Sequence, residues 1–515
     1  MTAQIPHYRS YSTYELTQEQ QVAVHLASTH RENIKINALA GTGKTSTLRA
    51  IALNLPKQSF LYLAFNKSVQ VEASQSFPRN VTARTIHSLA YRAMRVHELE
   101  PWQKKLKVSA TLKDYANFLQ KKVSLKSIVC LKEAMREFQN SSDERPSSQH
   151  IPSQALIGIK SEEKNWIMNF VDEEAPRLWK SMISFEEGSF PINHDTYLKL
   201  WQLSNPRISG VDVIMLDEAQ DANPVMIDII QKQKIRFILV GDTWQQIYSF
   251  RGAVNAMRNL ETKHVCYLTQ SFRFGQTIAD LANEVLSLRL APKKIRGFER
   301  KESYIGPLVQ RVQYTVLFRY NISLLEEAID LASKGLKIHV LGSLEHTIAA
   351  VMDVYYLFIK AKKKIKNPKI RSFKNWSELE LNFDIIDDVE FRKSIRFVEK
   401  YKFETSALIA SVERAAVSLP EKSDVILATA HKSKGREWDY VRLSEDFRDA
   451  VRSFEEEELN LLYVAMTRAI KGLELSPLLL EWLDLAKKKK ARKDVSRIPS
   501  YKEPNSEVYF DGGQC

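Results

Sequence analysis

The sequence predicts an α/β protein with two parallel sheets, each interrupted by a mainly helical insertion. Three observations carry this. Short apolar runs rich in Val, Ile, Leu and aromatics recur along the chain, most are followed by a helical pattern, and one strand-to-helix junction is a glycine-rich turn. The runs are residues 34–39, FLYLAF (60–65), VDVIML (211–216), RFILVG (236–241), HVCYL (264–268), YTVLF (314–318), KIHVLG (337–342) and DVILAT (424–429). Most are too short for helices, and near-continuous apolarity is what a strand covered on both faces requires. One sheet is expected before about Leu260 and a second after it.

At roughly 150 residues per domain, 515 residues hold about three domains' worth of chain. The division read from the pattern is a first sheet domain over 1–91 and 195–262 around a helical insertion at 92–194. A second sheet domain follows over 263–343 and 408–486, around a shorter insertion at 344–407, and a basic, loosely ordered tail covers 487–515. A Ser- and Pro-containing stretch at 140–148 reads as a loop, and there is no internal repeat. Apolar residues at 44% and charged residues at 27% exclude wholesale disorder. Lys plus Arg is 75 against 62 Asp plus Glu, a net charge of +13 that favours a polyanionic partner. The three cysteines, Cys130, Cys266 and Cys515, are too scattered for a disulfide framework or zinc cluster. With no membrane-spanning apolar stretch and no signal-peptide core, the chain reads as cytoplasmic, or nuclear in a eukaryote, with no membrane partner.

Gly41-Thr42-Gly43-Lys44-Thr45 lies where a strand passes into a helix, the context that makes such a turn a phosphate cradle. Its glycines let backbone amides close around phosphate oxygens, and the helix N-terminus adds partial positive charge. Lys44 reaches the β- and γ-phosphates, and the Thr45 hydroxyl suits Mg²⁺. Position 38, where the general pattern has its first glycine, is Ala38. VIMLDEAQD (213–221) then places Asp217 and Glu218 at the C-terminal end of an apolar run. That edge of a parallel sheet gathers ligand groups; one carboxylate suits Mg²⁺ and its neighbour the attacking water.

These residues carry a resemblance, from about Leu16 to Leu475, to superfamily 1 helicases of the UvrD/Rep/PcrA type. The motifs stand in family order: LTQEQ (16–20), ALAGTGKT (38–45), AFNKS (64–68), TIHSLA (85–90), LDEAQD (216–221), VGDTWQQIYSFRGA (240–253), QSFR (270–273), TAHKSKGREW (429–438) and NLLYVAMTRA (460–469). In detail, LYLAFNKS, QSFR and NLLYVAMTRA look closest to the F-box-containing DNA helicases and their prokaryotic relatives. No F-box-like extension is expected before Leu16, nor a nuclease domain after the second motor. From Gly342 to Asp424 there are 82 positions, a short second insertion for this family.

The resemblance implies two RecA-like motors that use ATP and Mg²⁺ and track single-stranded DNA. It gives nucleotide contacts to Gln20, to Ala40, Gly41, Thr42, Gly43, Lys44, Thr45 and Ser46, and to Phe272 under adenine and Glu437 near the ribose. Thr45 and Asp217 hold Mg²⁺, Glu218 activates water, Gln245 senses the γ-phosphate, and Arg273 and Arg468 are arginine fingers. DNA contacts fall to Phe65, Asn66, Thr85, His87, Tyr248, Phe250, Arg251 and His431, with packing the alternative for Phe65. The activity implied is a DNA-dependent ATPase and 3′→5′ helicase acting on single strands and single/double-strand junctions, in repair, recombination control or phage defence. The rival is an ATP-gated translocase or clamp that does not unwind alone and works with a nuclease or recombination partner. The basic runs 360–371 and 487–493 read as solvated surface, an accessory nucleic-acid patch or a nuclear signal.

Overall fold

The computed structural model describes residues 15–493 apart from 108, 187, 250, 251, 309–311, 382, 384–387 and 454. Contacts divide the chain into two units. Among the described residues, one holds 15–39 and 43–268, the other 40–42 and 269–493.

The first unit is built on six strands: β1 (Ile34–Ala38), β2 (Phe60–Ala64), β3 (Val81–Thr85), β4 (Val213–Leu216), β5 (Arg236–Gly241) and β6 (His264–Leu268). They lie in the order β3-β2-β4-β5-β1-β6, and every pair is parallel. β1, β2 and β4 are buried along their whole length, as both-sided cover requires. Alternate residues serve two cores. Phe60, Tyr62, Met215, Ile238 and Val240 face Val24, Leu48 and Ile51. Leu61, Leu63, Ile214, Leu216 and Leu239 share a core with Leu131, Phe138, Val171 and Leu178 of the inserted helices. The insertion therefore packs on the sheet and shares its apolar interior with it.

That insertion is helical, as its period predicts, with helices at Glu100–Lys105, Leu112–Leu119, Leu125–Asn140 and Ser161–Ile183. Helices Ile86–Ala93 and His194–Leu203 flank it and pack on each other. Lys199 is buried there, its ammonium donating to the carbonyls of Ser141 (2.8 Å) and Asp143 (2.5 Å) over the Phe138 ring. Burial pulls its pKa down to about 8, against the opposing charges of Asp143 and Asp228.

One expected boundary moves. The sequence reading starts the second sheet domain at residue 263, whereas β6 pairs parallel with β1 in the first sheet, from Ile34↔His264 to Ala38↔Leu268. The apolar run HVCYL is the strand that covers the open edge of β1, and a run's composition does not say which sheet it joins.

The second unit has its own parallel sheet of β7 (Tyr304–Ile305), β8 (Tyr314–Phe318), β9 (Ile338–Val340), β10 (Val425–Thr429), β11 (Trp438–Leu443) and β12 (Ala469–Glu474). The order is β7-β12-β11-β8-β10-β9. Helices Glu345–Phe358, Val389–Tyr401 and Thr405–Ala415 bring Val351, Val354, Ile395, Val398 and Ile409 onto the core around Val316, Phe318 and Leu427. Helix Pro477–Lys493 continues through 487–493, the first part of the expected tail; residues 494–515 lie outside the described residues. No described helix is long and apolar enough to cross a membrane.

Candidate nucleotide and nucleic-acid sites

Sheet order in the first unit sorts the candidate residues along its C-terminal edge. β1 and β4, the strands that lead to the glycine turn and to Asp217–Glu218, flank β5, and β2 and β3 lie beyond β4. Gly41 (φ +72°) and Gly43 (φ +79°) take left-handed backbone that other residues adopt at a cost, and Gly43 caps helix Lys44–Asn54. Lys44 Nζ then lies 2.7 Å from Glu218 Oε1. Glu218 itself has φ +50°, at the cap of the tight turn Ala219–Asp221. Left-handed backbone on a bulky residue is strain of the kind found at functional sites.

Asp217 is buried, and its Oδ2 accepts a hydrogen bond of 2.6 Å from the Tyr62 hydroxyl. Burial and then the charge of Glu218 push the Asp217 carboxyl above the ordinary carboxylate range, with Lys44 opposing. For Lys44 burial acts to lower the pKa, but the carboxylates of Glu218, Asp217 and Asp242 outweigh it and hold the ammonium charged. The cluster thus carries two adjoining carboxylates under one resident cation.

Gln220, outside the sequence-predicted set, ties this cluster to the next strand. Gln220 Nε2 donates to Glu218 Oε2 at 2.5 Å, while its Oε1 accepts from the Asp242 backbone N–H at 3.0 Å. Asp242 in turn accepts from Gln245 Nε2 at 2.7 Å and caps the turn Thr243–Gln245. Glu218 and Gln245 are therefore joined through Gln220 and Asp242, all on the first unit. The signal was present in DEAQD and GDTWQ, but only the pairing of β4 with β5 brings the two motifs together.

The same segment carries Tyr248, whose ring stacks on Phe65 at 5.8 Å and 15° between planes. Phe65 is 41% exposed, so it is a surface aromatic and not part of the core. Asn66 caps helix Lys67–Ser76 through Val69 N–H, and Thr85 caps helix Ile86–Ala93 through Ser88 N–H. His87 Nε2 lies 3.1 Å from Asp195 Oδ1, a partner 108 positions away at the first turn of helix His194–Leu203. Phe250 and Arg251 lie outside the described residues.

On the second unit, Phe272 packs edge-on to Phe298 at 5.4 Å. Arg273 Nε donates to Glu437 Oε2 at 2.6 Å and its Nη1 to the Thr467 carbonyl at 2.9 Å. Arg468 is held through Nε to the Val464 carbonyl and Nη1 to the Arg436 carbonyl. QSFR, GREW and TRA thus converge, with both guanidinium groups engaged inside their own unit. His431 stands just beyond the C-terminal end of β10, on the short helix Ala430–Ser433.

Two family models match the chain: the UvrD/REP helicase N-terminal domain over residues 16–265 and the UvrD-like helicase C-terminal domain over 424–475. The chain belongs to the UvrD-like helicase family. It is 35% identical over 520 residues to F-box DNA helicase 1 of Gallus gallus, spanning 93% of this chain and 50% of that protein. To F-box DNA helicase protein 1 of Schizosaccharomyces pombe it is 32% identical over 519 residues, spanning 91% of this chain and 58% of the relative. A probable DNA helicase II homolog of Mycoplasma pneumoniae is 26% identical over 304 residues, 50% of this chain and 41% of that protein. The chain thus spans only about half the length of these two F-box DNA helicases.

The residues of this UvrD-like chain fit a nucleotide with Mg²⁺. The donors at hand, the Thr45 hydroxyl and the Asp217 carboxylate, are hard oxygens, and Mg²⁺ is usually held by one or two carboxylates plus phosphate oxygens. A divalent cation would also relieve the repulsion that raises the Asp217 pKa. Gln20 is buried with each end of its amide engaged, Oε1 by Thr17 N–H at 3.0 Å and Nε2 by Thr47 Oγ1 at 3.1 Å. A carboxamide has a second lone pair and a second N–H, so contact with an adenine edge would leave these bonds intact.

Proposed function

We propose that the chain is an ATP-dependent motor that moves 3′→5′ on single-stranded DNA and separates strands at single/double-strand junctions. The observation that best supports this is the segment after β5. It starts hydrogen-bonded into the carboxylate cluster through Asp242 and Gln245, and three residues later presents Tyr248 to the exposed Phe65 ring. A change at the phosphate end of such a segment is felt at a surface suited to stacking bases, which aromatic faces bind with little sequence preference.

In this reading Lys44, Thr45 and the amides of 40–46 bind the triphosphate, and Thr45 with Asp217 would hold Mg²⁺, which would supply charge neutralisation at the transferred phosphoryl group. Glu218 takes a proton from the attacking water once Lys44 leaves it for phosphate. Gln245 senses the γ-phosphate, Gln20 and Phe272 are assigned to adenine and Glu437 to the ribose, and Arg273 and Arg468 stabilise charge in the transition state. DNA contacts are assigned to Phe65, Asn66, Thr85, His87, Tyr248, Phe250, Arg251 and His431.

The test is ATP hydrolysis by the purified chain with and without oligothymidylate, beside displacement of duplexes carrying a 3′ or a 5′ single-stranded tail. DNA-stimulated hydrolysis with displacement of the 3′-tailed substrate is expected. Stimulated hydrolysis with both duplexes intact would favour the non-unwinding translocase that needs a partner, and hydrolysis indifferent to DNA would sink the motor.

A further inference from the structure

The insertion of the second unit carries a concentration of charge that the proposed motor does not use. Residues 360–374 contain eight Lys and Arg and no Asp or Glu. Lysine runs on loose tails are ordinary, but this one is anchored. Ile365 and Ile370 are buried in the unit's core. Buried Asp353, on helix Glu345–Phe358, accepts from the backbone N–H groups of Lys366 and Asn367, each at 2.8 Å. Lys360, Lys362, Lys363, Lys364 and Lys366 are all exposed, and among the described residues none of the five makes an ion pair. Among the described residues, the carboxylates that touch 360–374, Asp353 and Glu378, are taken up by its backbone N–H groups, so the lysine charge stands uncompensated.

An aromatic ledge adjoins the loop. Phe358, the last residue of helix Glu345–Phe358, packs on Trp376 at 5.1 Å and on Phe403 at 5.2 Å. Phe403 is 72% exposed, on the turn Lys402–Glu404 beside exposed Lys402. The helix end that carries the ledge leads straight into the lysine loop.

We propose that this face is an accessory binding site for single-stranded nucleic acid, with phosphates on Lys362, Lys363, Lys364 and Lys366 and a base stacked on Phe403. Uncompensated lysines on an anchored loop neutralise a phosphate backbone with release of counterions. An exposed ring on an aromatic base offers the sequence-tolerant stacking that single strands use and paired bases deny. A lipid headgroup surface or an acidic peptide would use the lysines but gain no base stack from Phe403. The site shares no residue with those assigned to the motor, so it does not depend on that assignment.

The experiment measures binding of a long oligothymidylate to the full chain by fluorescence anisotropy across a salt series. Replacing Lys362, Lys363, Lys364 and Lys366 together by Ala should make the slope of log affinity against log salt shallower by about 3, at roughly 0.7 per phosphate contact on a single strand. Phe403→Ala should weaken binding about 5- to 150-fold with the slope unchanged. Both variants should keep the turnover of ATP at saturating DNA and the melting temperature of the parent. The matching set of four Lys→Arg replacements should keep affinity and slope, which separates lost charge from disturbed folding. Unchanged affinity and slope in the alanine set would overturn the site. So would intact DNA binding in that set together with lost binding to vesicles of phosphatidylserine and phosphatidylcholine, which would give the face to a lipid surface.

Discussion

Glu218 combines strained backbone, an ion pair to Lys44 and an amide donor from Gln220, so its oxygens are aimed before any nucleotide arrives. Glu218→Gln is predicted to bind nucleotide and DNA but lose turnover, because a neutral isostere cannot take the proton. Lys44→Ala should instead weaken nucleotide binding itself, since the charge facing the phosphates is gone. Equilibrium binding beside steady-state hydrolysis checks both, and near-normal turnover in either variant would remove the assignment. Asp217 yields a prediction about stability. Its folded pKa is raised by burial and Glu218, so the folded chain holds an extra proton above the unfolded value near 4. Stability is therefore lost as pH rises from there through the folded pKa. Asp217→Asn keeps an acceptor for Tyr62 and removes the repulsion, so without nucleotide it should be more stable at pH 7 by about 0.5–2 kcal/mol while losing activity. The advantage should fade on acidification towards pH 4 in denaturant unfolding. A variant less stable than the parent at pH 7 would contradict this account.

The element that matters most is the turn and segment leaving β5. Gly241 ends that strand, and a Cβ there would run into Gln220 Oε1 and lie 3.2 Å from the backbone nitrogens of Ala219 and Gln220. Gly241→Ala is predicted to push the Gln220 amide off Asp242 N–H and loosen its hold on Glu218. Misplacing a catalytic group by about 1 Å can cost about 10²-fold in rate, so kcat should fall steeply with KM for ATP little changed. A folded variant with normal kcat would show that Gln220 does not position Glu218. Further along, Tyr248→Ala removes one ring of the Phe65 pair. Losing a stacking platform costs roughly 1–3 kcal/mol at one base, so DNA should still bind and still stimulate hydrolysis to a degree. Movement needs a base gripped in step with hydrolysis, so strand displacement should fall much further than ATP consumption. Displacement per ATP equal to the parent's would exclude the platform role.

For the whole chain, the C-terminal boundary follows from burial. Helix Pro477–Lys493 is held by Leu479, Leu483 and Ala486, all buried, and every family motif lies before it. A chain ending at Ala486 is predicted to keep its fold and DNA-stimulated hydrolysis. One ending before Pro477 should lose stability by several kcal/mol, since removing a buried Leu alone costs about 2–5 kcal/mol. Thermal unfolding of the two truncations decides it, and equal melting temperatures would refute the anchoring role. The net charge of +13 also sets an expectation for single-stranded DNA. Affinity should fall linearly with log salt, by about 0.7 per phosphate neutralised.

What could be read from the chain alone is what sits in contiguous residues. The glycine turn at 41–45 needs only its own backbone freedom, and Asp217–Glu218 needs only a preceding apolar run to mark a strand end. β1, β2 and β4 are visible because strands buried on both faces must be apolar throughout. VTART, WDYVRL and AIKGLE escaped notice because β3, β11 and β12 mix polar and charged residues with apolar ones and are only partly buried. The tertiary structure decided the rest. It put β6 in the first sheet, set Asp195 against His87 across 108 positions, and set Tyr62 against Asp217 across 155. It exposed Phe65 beside Tyr248 and threaded Gln220 between Glu218 and Asp242. Each of these depends on which strands pair and which faces pack, and that is fixed by burial across the whole sheet; no short stretch of sequence encodes it.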